Sequence, residues 1–162
     1  MYAVGDKVLH PKHGAGQITE ITENELGLYY LFEMPMGTMT VNIPADSADR
    51  IGLREIIDAE SADRLLQLLS EPAVEDEANW NKRFRDNAER VKSGNQEDVV
   101  FVLRSLSDRE HQKGLSTGER KLMNTALQIF SSEYALAKSI PYREAEAAAC
   151  AAVGRKQKRL TI

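Results

Sequence analysis

The chain has one cysteine, one tryptophan, three histidines and no apolar run long enough to cross a bilayer. Each shortage narrows the function. A lone Cys150 excludes an internal disulfide and fits a reducing, cytoplasmic setting. Its surroundings, Ala147-Ala148-Ala149-Cys150-Ala151-Ala152, suit small-residue helix packing rather than nucleophilic catalysis. Met1-Tyr2-Ala3-Val4-Gly5-Asp6 has neither a basic nor an apolar signal region, so we expect no secretion signal and no membrane partner. His10 and His13 share a loop near Asp6, but two histidines without a clustered third ligand are weak grounds for zinc. We expect them to hold a tight turn, and His111 to lie on the surface near a helix end. Phosphate loops, dinucleotide fingerprints and nucleophile elbows are all missing. We therefore expect no enzyme, no metal and no cofactor.

What is present is charge, unevenly spread. The net charge of −4 hides a polar arrangement. Residues 1–53 carry −4 and residues 54–79 carry −6, while residues 80–130 and 131–162 carry +3 each. The sign changes at Trp80. Such asymmetry suggests two partners of different character, or one partner with two surfaces.

The periodicity changes once as well. Residues 1–53 read as short strands: Val4 to Leu9, Gln17 to Thr22, Leu28 to Met34, Thr38 to Ile43 and a last one at Arg50 to Leu53. Leu28, Tyr30, Phe32 and Met34 share one face, as do Met39, Val41 and Ile43. Glycine and proline punctuate the connections. This predicts a small, strongly bent antiparallel sheet or barrel.

From residue 54 the period is helical. Ser61 is the expected first cap, followed by Leu65, Leu66, Leu68 and Leu69. A second helix should run from about Asn79 to Ser93-Gly94, and a third from Asn95 with Val99, Val102, Leu103 and Leu106 inward. Ser116-Thr117-Gly118-Glu119 fits a capping box, opening a fourth helix to about Ser139 with Leu122, Ala126, Ile129 and Phe130 inward. Pro141 opens a fifth that ends near Gly154, before a basic tail over about 155–162. The fold class is α+β: a β module, 1–53, then a helical module of about five helices, 54–162.

The stretch Asn79-Trp80-Asn81-Lys82-Arg83-Phe84-Arg85 stands out. On a helix, Trp80, Phe84, Ala88 and Val91 fall on one stripe, with cations over most of the remainder. Spacing leaves two readings. Trp80 is the first core residue of an amphipathic helix, or it overhangs the helix start as an aromatic wedge beside phosphate-binding cations.

Several stretches together resemble one family. Val4-Gly5-Asp6-Lys7-Val8-Leu9-His10-Pro11-Lys12-His13-Gly14-Ala15-Gly16 is similar to the opening signature of the CarD/CdnL family of bacterial transcription regulators. The β module also resembles the polymerase-interacting domain of the transcription-repair coupling factor. The likeness continues through Thr38-Met39-Thr40-Val41-Asn42-Ile43-Pro44, Asn79 to Phe84 and Gly114-Leu115-Ser116-Thr117-Gly118-Glu119. It implies a Tudor-like β domain that binds the RNA polymerase β subunit, and a compact helical domain on promoter DNA at the upstream edge of the transcription bubble. In that picture Trp80 wedges into the minor groove and slows collapse of the open complex. Lys82, Arg83 and Arg85, with Arg90, hold phosphates, while Phe84, Ala88 and Val91 anchor the helix. Thr40, Asn42 and Pro44 match the polymerase-facing edge, with Asn24 beside them; Asn24 and Asn42 stand where some relatives carry arginine.

The resulting expectation is a monomeric, cytoplasmic transcription regulator, brought to the nucleoid through RNA polymerase, with little sequence readout. The alternative is a protein–protein adapter on polymerase without direct DNA contact.

Overall fold

The computed structural model describes residues 1–36, 40–73 and 77–154. Met39, expected to point inward, and the basic tail from Arg155 lie outside the described residues. Five strands form one antiparallel sheet in the order β4-β3-β2-β1-β5: β1 (Lys7–His10), β2 (Gly14–Asn24), β3 (Gly27–Glu33), β4 (Thr40–Pro44) and β5 (Arg54–Glu55). Alternation explains the inner face. Tyr30, Phe32 and Met34 are buried with Val8, Ile18 and Ile43, as the period of two requires. Ile18 and Ile21 are three apart, so a regular strand would point them to opposite faces. The register slips between Ile18 and Glu20, and this bulge returns Ile21 to the same cluster.

Several boundaries differ from expectation. Strand β1 starts at Lys7 and not at Val4, and β2 runs past the expected Gln17 to Thr22 at both ends. Arg50 to Leu53 is not a strand. A 3-10 turn (Ala45–Ser47) leads into the short helix α1 (Ala48–Ile51), which Gly52 ends in a left-handed conformation at φ 91°. The last strand follows at Arg54, so the sheet extends two residues past the expected change of architecture. The next helix, α2 (Ala59–Leu69), is capped by Asp58 and not by Ser61: the Asp58 carboxylate accepts from the Ser61 amide at 2.7 Å. An aspartate one turn earlier wins because it can reach that amide from outside the helix.

The remaining helices are α3 (Trp80–Lys92), α4 (Gln96–Gln112), α5 (Thr117–Lys138) and α6 (Tyr142–Ala152). Asn79, Asn95 and Ser116 cap α3, α4 and α5 with side-chain oxygens. Val99, Val102, Leu103, Leu106, Ala126, Ile129 and Phe130 form the bundle core with Ala145 and Ala149. Leu122 lies only half-buried at its margin. Cys150 is 4% exposed in α6, consistent with packing. No described helix is long and apolar enough to cross a membrane.

The sheet and the bundle share a core. Leu9 and Ala15, both strand residues, belong to the helical cluster. Helix α5 lies against β2, where Ser132 Oγ accepts from the Ala15 amide at 2.8 Å and Gln128 donates to the His13 carbonyl at 2.8 Å. Gly14 permits that approach. Its φ is 110°, and a Cβ there would lie 2.5 Å from Ser132 Oγ.

Candidate nucleic-acid interface

Helix α3 begins at Trp80. Asn79 holds extended backbone angles, and its side chain accepts from the Lys82 amide at 3.0 Å, which fixes the first turn. Helix N-termini ordinarily gather acids, because the aligned peptide dipoles and unpaired amides favour anions. The first turn of α3 has none; Lys82 and Arg83 stand there instead. Both cations are matched by carboxylates of neighbouring segments, Lys82 by Glu77 and Asp86 and Arg83 by Glu119.

Trp80 is 46% exposed, a large apolar ring at the surface. It stacks on Phe84, with ring centroids 5.4 Å apart and planes 11° from parallel. Its Nε1 donates to Glu119 Oε1 at 3.2 Å. Phe84 in turn presses on the start of α5, where a Cβ added to Gly118 would lie 3.1 Å from its ring.

The buried stripe of α3 is turned from the expected one. Arg83, Asn87 and Val91 are buried, while Phe84 and Ala88 are half-buried. Arg83 is the main correction. It is 1% exposed, and its Nε donates to Glu119 Oε2 at 3.1 Å while its Nη1 donates to the carbonyls of Glu77 and Ala78. A guanidinium so enclosed is a brace between α3 and α5, not a surface phosphate contact. Arg90 is also drawn inward: it donates to Asn87 Oδ1 at 2.7 Å and lies 4.1 Å from the centre of the Phe101 ring. Lys82 and Arg85 remain exposed on α3, two and five residues after Trp80 and so across the helix from its ring. Lys82 reaches Glu77 at 3.3 Å and Asp86 at 3.4 Å, and these contacts raise its pKa; the Asn79 amide, then Lys82, lower that of Glu77.

Glu119 was read from sequence as a cap alone. The cap is real, since Ser116 Oγ accepts from the Glu119 amide at 3.2 Å. Yet the Glu119 carboxylate takes bonds from Ser116 Oγ, Trp80 and Arg83, and is 2% exposed. Burial pushes its pKa up, but Arg83 and Ser116 outweigh that and hold it below the usual carboxylate range. The capping-box glutamate was the available signal; its partners, 36 and 39 residues away, were not.

The second expected surface lies on the sheet. Thr40 and Asn42 are exposed on β4 and Pro44 is half-buried at its end. Among the described residues β4 pairs only with β3, so its other side is an unpaired edge. Asn24 sits apart, at the tip of the β2–β3 hairpin, where its side chain accepts from the Leu26 amide at 2.8 Å. The histidine loop does hold a turn: His10 Nδ1 accepts from the Lys12 amide at 3.1 Å, and its ring lies 4.6 Å from that of His13. Burial, then the positive neighbours His13 and Lys12, lower the His10 pKa to about 4.

Two family models match the chain, one over each half. Residues 64–149 match the family model "CarD, C-terminal domain", and residues 2–57 match "CarD-like/TRCF RID domain". The chain belongs to the CarD family. It is similar to the protein named "Putative transcription factor YdeB" of Bacillus subtilis (strain 168), at 26% identity over 148 residues, covering 89% of this chain and 97% of that one. As a CarD-family chain it is a transcription regulator of mixed fold, and the Trp80 patch and the β4 edge lie one on each of its two family modules.

Proposed function

We propose that this protein bridges RNA polymerase and promoter DNA, and slows collapse of the open complex by wedging Trp80 at the upstream edge of the bubble. The observation that carries the reading is the half-exposed Trp80 ring at the start of α3, on a helix whose first two turns also present exposed Lys82 and Arg85. An apolar ring at the end of a helix that carries cations suits partial unstacking of a base step while phosphates are held. The contact set is then Trp80, Lys82 and Arg85, with Arg83 and Arg90 supporting it from within.

The β4 edge, with Thr40, Asn42 and Pro44, takes the polymerase β subunit by adding to the sheet, a mode in which main-chain bonds supply affinity. Asn24 lies outside that edge and contributes at the hairpin tip. Polymerase binding raises the effective concentration of α3 at the DNA fork, so weak affinity for free DNA suffices.

The test is open-complex lifetime on a promoter, with polymerase and either the original chain or Trp80→Ala. The wedge predicts a shorter lifetime with the variant while polymerase binding persists. Equal lifetimes from two folded proteins exclude it. One observation favours the adapter alternative, namely that Glu77 and Asp86 occupy the Lys82 ammonium. Lys82→Ala with Arg85→Ala separates the two, because an adapter keeps its effect on lifetime.

A further inference from the structure

A tryptophan in the first turn of a helix ordinarily has a choice of rotamers. Trp80 is held at several points. Phe84 covers one face of the indole, and Gly118 lets Phe84 sit close enough to do so. The Nε1 hydrogen bond ends on Glu119, whose carboxylate is itself fixed by Arg83 and Ser116. All of Glu119 is enclosed, so it has no solvent-facing alternative.

We propose that Glu119, braced by Arg83, is the positioning residue for Trp80: it ties the indole N–H inward and leaves the benzene edge and one ring face for DNA. This rests on the reading of Trp80 as the wedge and adds how the wedge is aimed. Two properties follow. The outward edge carries no donor or acceptor, so it responds to the opening of a base step and not to base identity. With one face against Phe84, the ring has a single face to offer a base at the opened step.

Four variants test this in the whole protein: Trp80→Ala, Trp80→Phe, Glu119→Met and the pair Arg83→Met/Glu119→Met; methionine offers the indole N–H no oxygen. The pair removes both charges, so no buried cation is left unmatched if Glu119→Met alone fails to fold. Trp80→Phe keeps a ring and lacks the N–H. Two readouts are needed: open-complex lifetime with polymerase, and nanosecond fluorescence anisotropy of the lone tryptophan in the free protein. Loosening Glu119 should speed depolarisation and shorten the lifetime by roughly two- to tenfold, the scale of ordering one side chain on binding. In combination with Trp80→Phe, the Glu119 change should add no further loss.

An equal loss with and without Trp80→Phe would overturn the inference, since Glu119 would then act through general structure. So would faster depolarisation with an unchanged lifetime, which leaves the wedge standing and removes its aiming. If Trp80→Ala itself has no effect on lifetime, the wedge falls and the positioning role falls with it.

Discussion

Arg54 and Glu133 meet across the seam between sheet and bundle through two parallel hydrogen bonds, of 2.8 and 2.9 Å. Glu133 is fully buried, and it also accepts from the Ile57 amide at 2.8 Å and from Gln96. Arg54 completes its set on the Gly94 carbonyl at the end of α3. One carboxylate thus gathers β5, the chain leading to α2, and the start of α4. Glu133→Ala leaves these donors without their acceptor and should destabilise the protein by about 3–5 kcal/mol. Arg54→Ala/Glu133→Ala should cost less than the sum of the single changes, because the two residues act as a pair. Denaturant unfolding measures both.

The same seam predicts a packing effect. Gly14→Ala introduces a Cβ 2.5 Å from Ser132 Oγ at a left-handed backbone position. Overpacking and strain together should cost about 2–4 kcal/mol, read as a lowered unfolding midpoint at unchanged slope. A wild-type midpoint would mean that the sheet and α5 are not held this closely.

Neighbouring cations on α3 should separate cleanly. Arg83→Ala strands the Glu119 carboxylate in the interior, and about 3–5 kcal/mol of stability should be lost. Lys82→Ala and Arg85→Ala should leave stability within about 0.5 kcal/mol, as surface changes do. Each of these two should instead reduce the log–log salt slope of DNA binding by about 0.9 for every phosphate contact removed. A thermal melt and a salt titration on the three variants decide the assignment.

His10 gives a pH dependence. Its folded pKa is lowered to about 4 from an ordinary value of 6.5, so between these values the unfolded chain binds more protons than the folded one. Stability is therefore unaffected by this group above pH 6.5 and declines as pH falls towards 4, with a slope of at most about 1.4 kcal/mol per pH unit. Protonating Nδ1 would also break its bond from the Lys12 amide. His10→Asn, which can still offer an acceptor, should flatten unfolding curves measured over that window.

Much of the architecture was legible because it follows from local rules. Period-two alternation located Tyr30, Phe32 and Met34, and three helices start where expected, at Asn79, Asn95 and the Ser116 capping box. Misreadings arose where two local signals competed or a distant group decided. Asp58 and Ser61 can both cap, and only the backbone geometry selects Asp58. Arg50 to Leu53 has strand-forming residues, but Ala48 begins a helical turn before them. In α3 a formal charge gave no warning that Arg83 is buried, since its counter-charge lies on α5. The Trp80 stripe was half visible for the same reason: spacing located Phe84 beneath the ring, and nothing local pointed to Glu119.

Leu9 and Ala15 are strand residues that lie within the helical core. Flexing the seam would pull both into water, so the two halves do not swing as separate lobes. In the proposed bridge, a partner on the outer strand at Thr40 to Pro44 would then also set how far away, and in which direction, the first turn of α3 comes to bear. Reach would be a dimension of the protein, and lengthening the connection between the halves should alter where it acts before it alters what it binds.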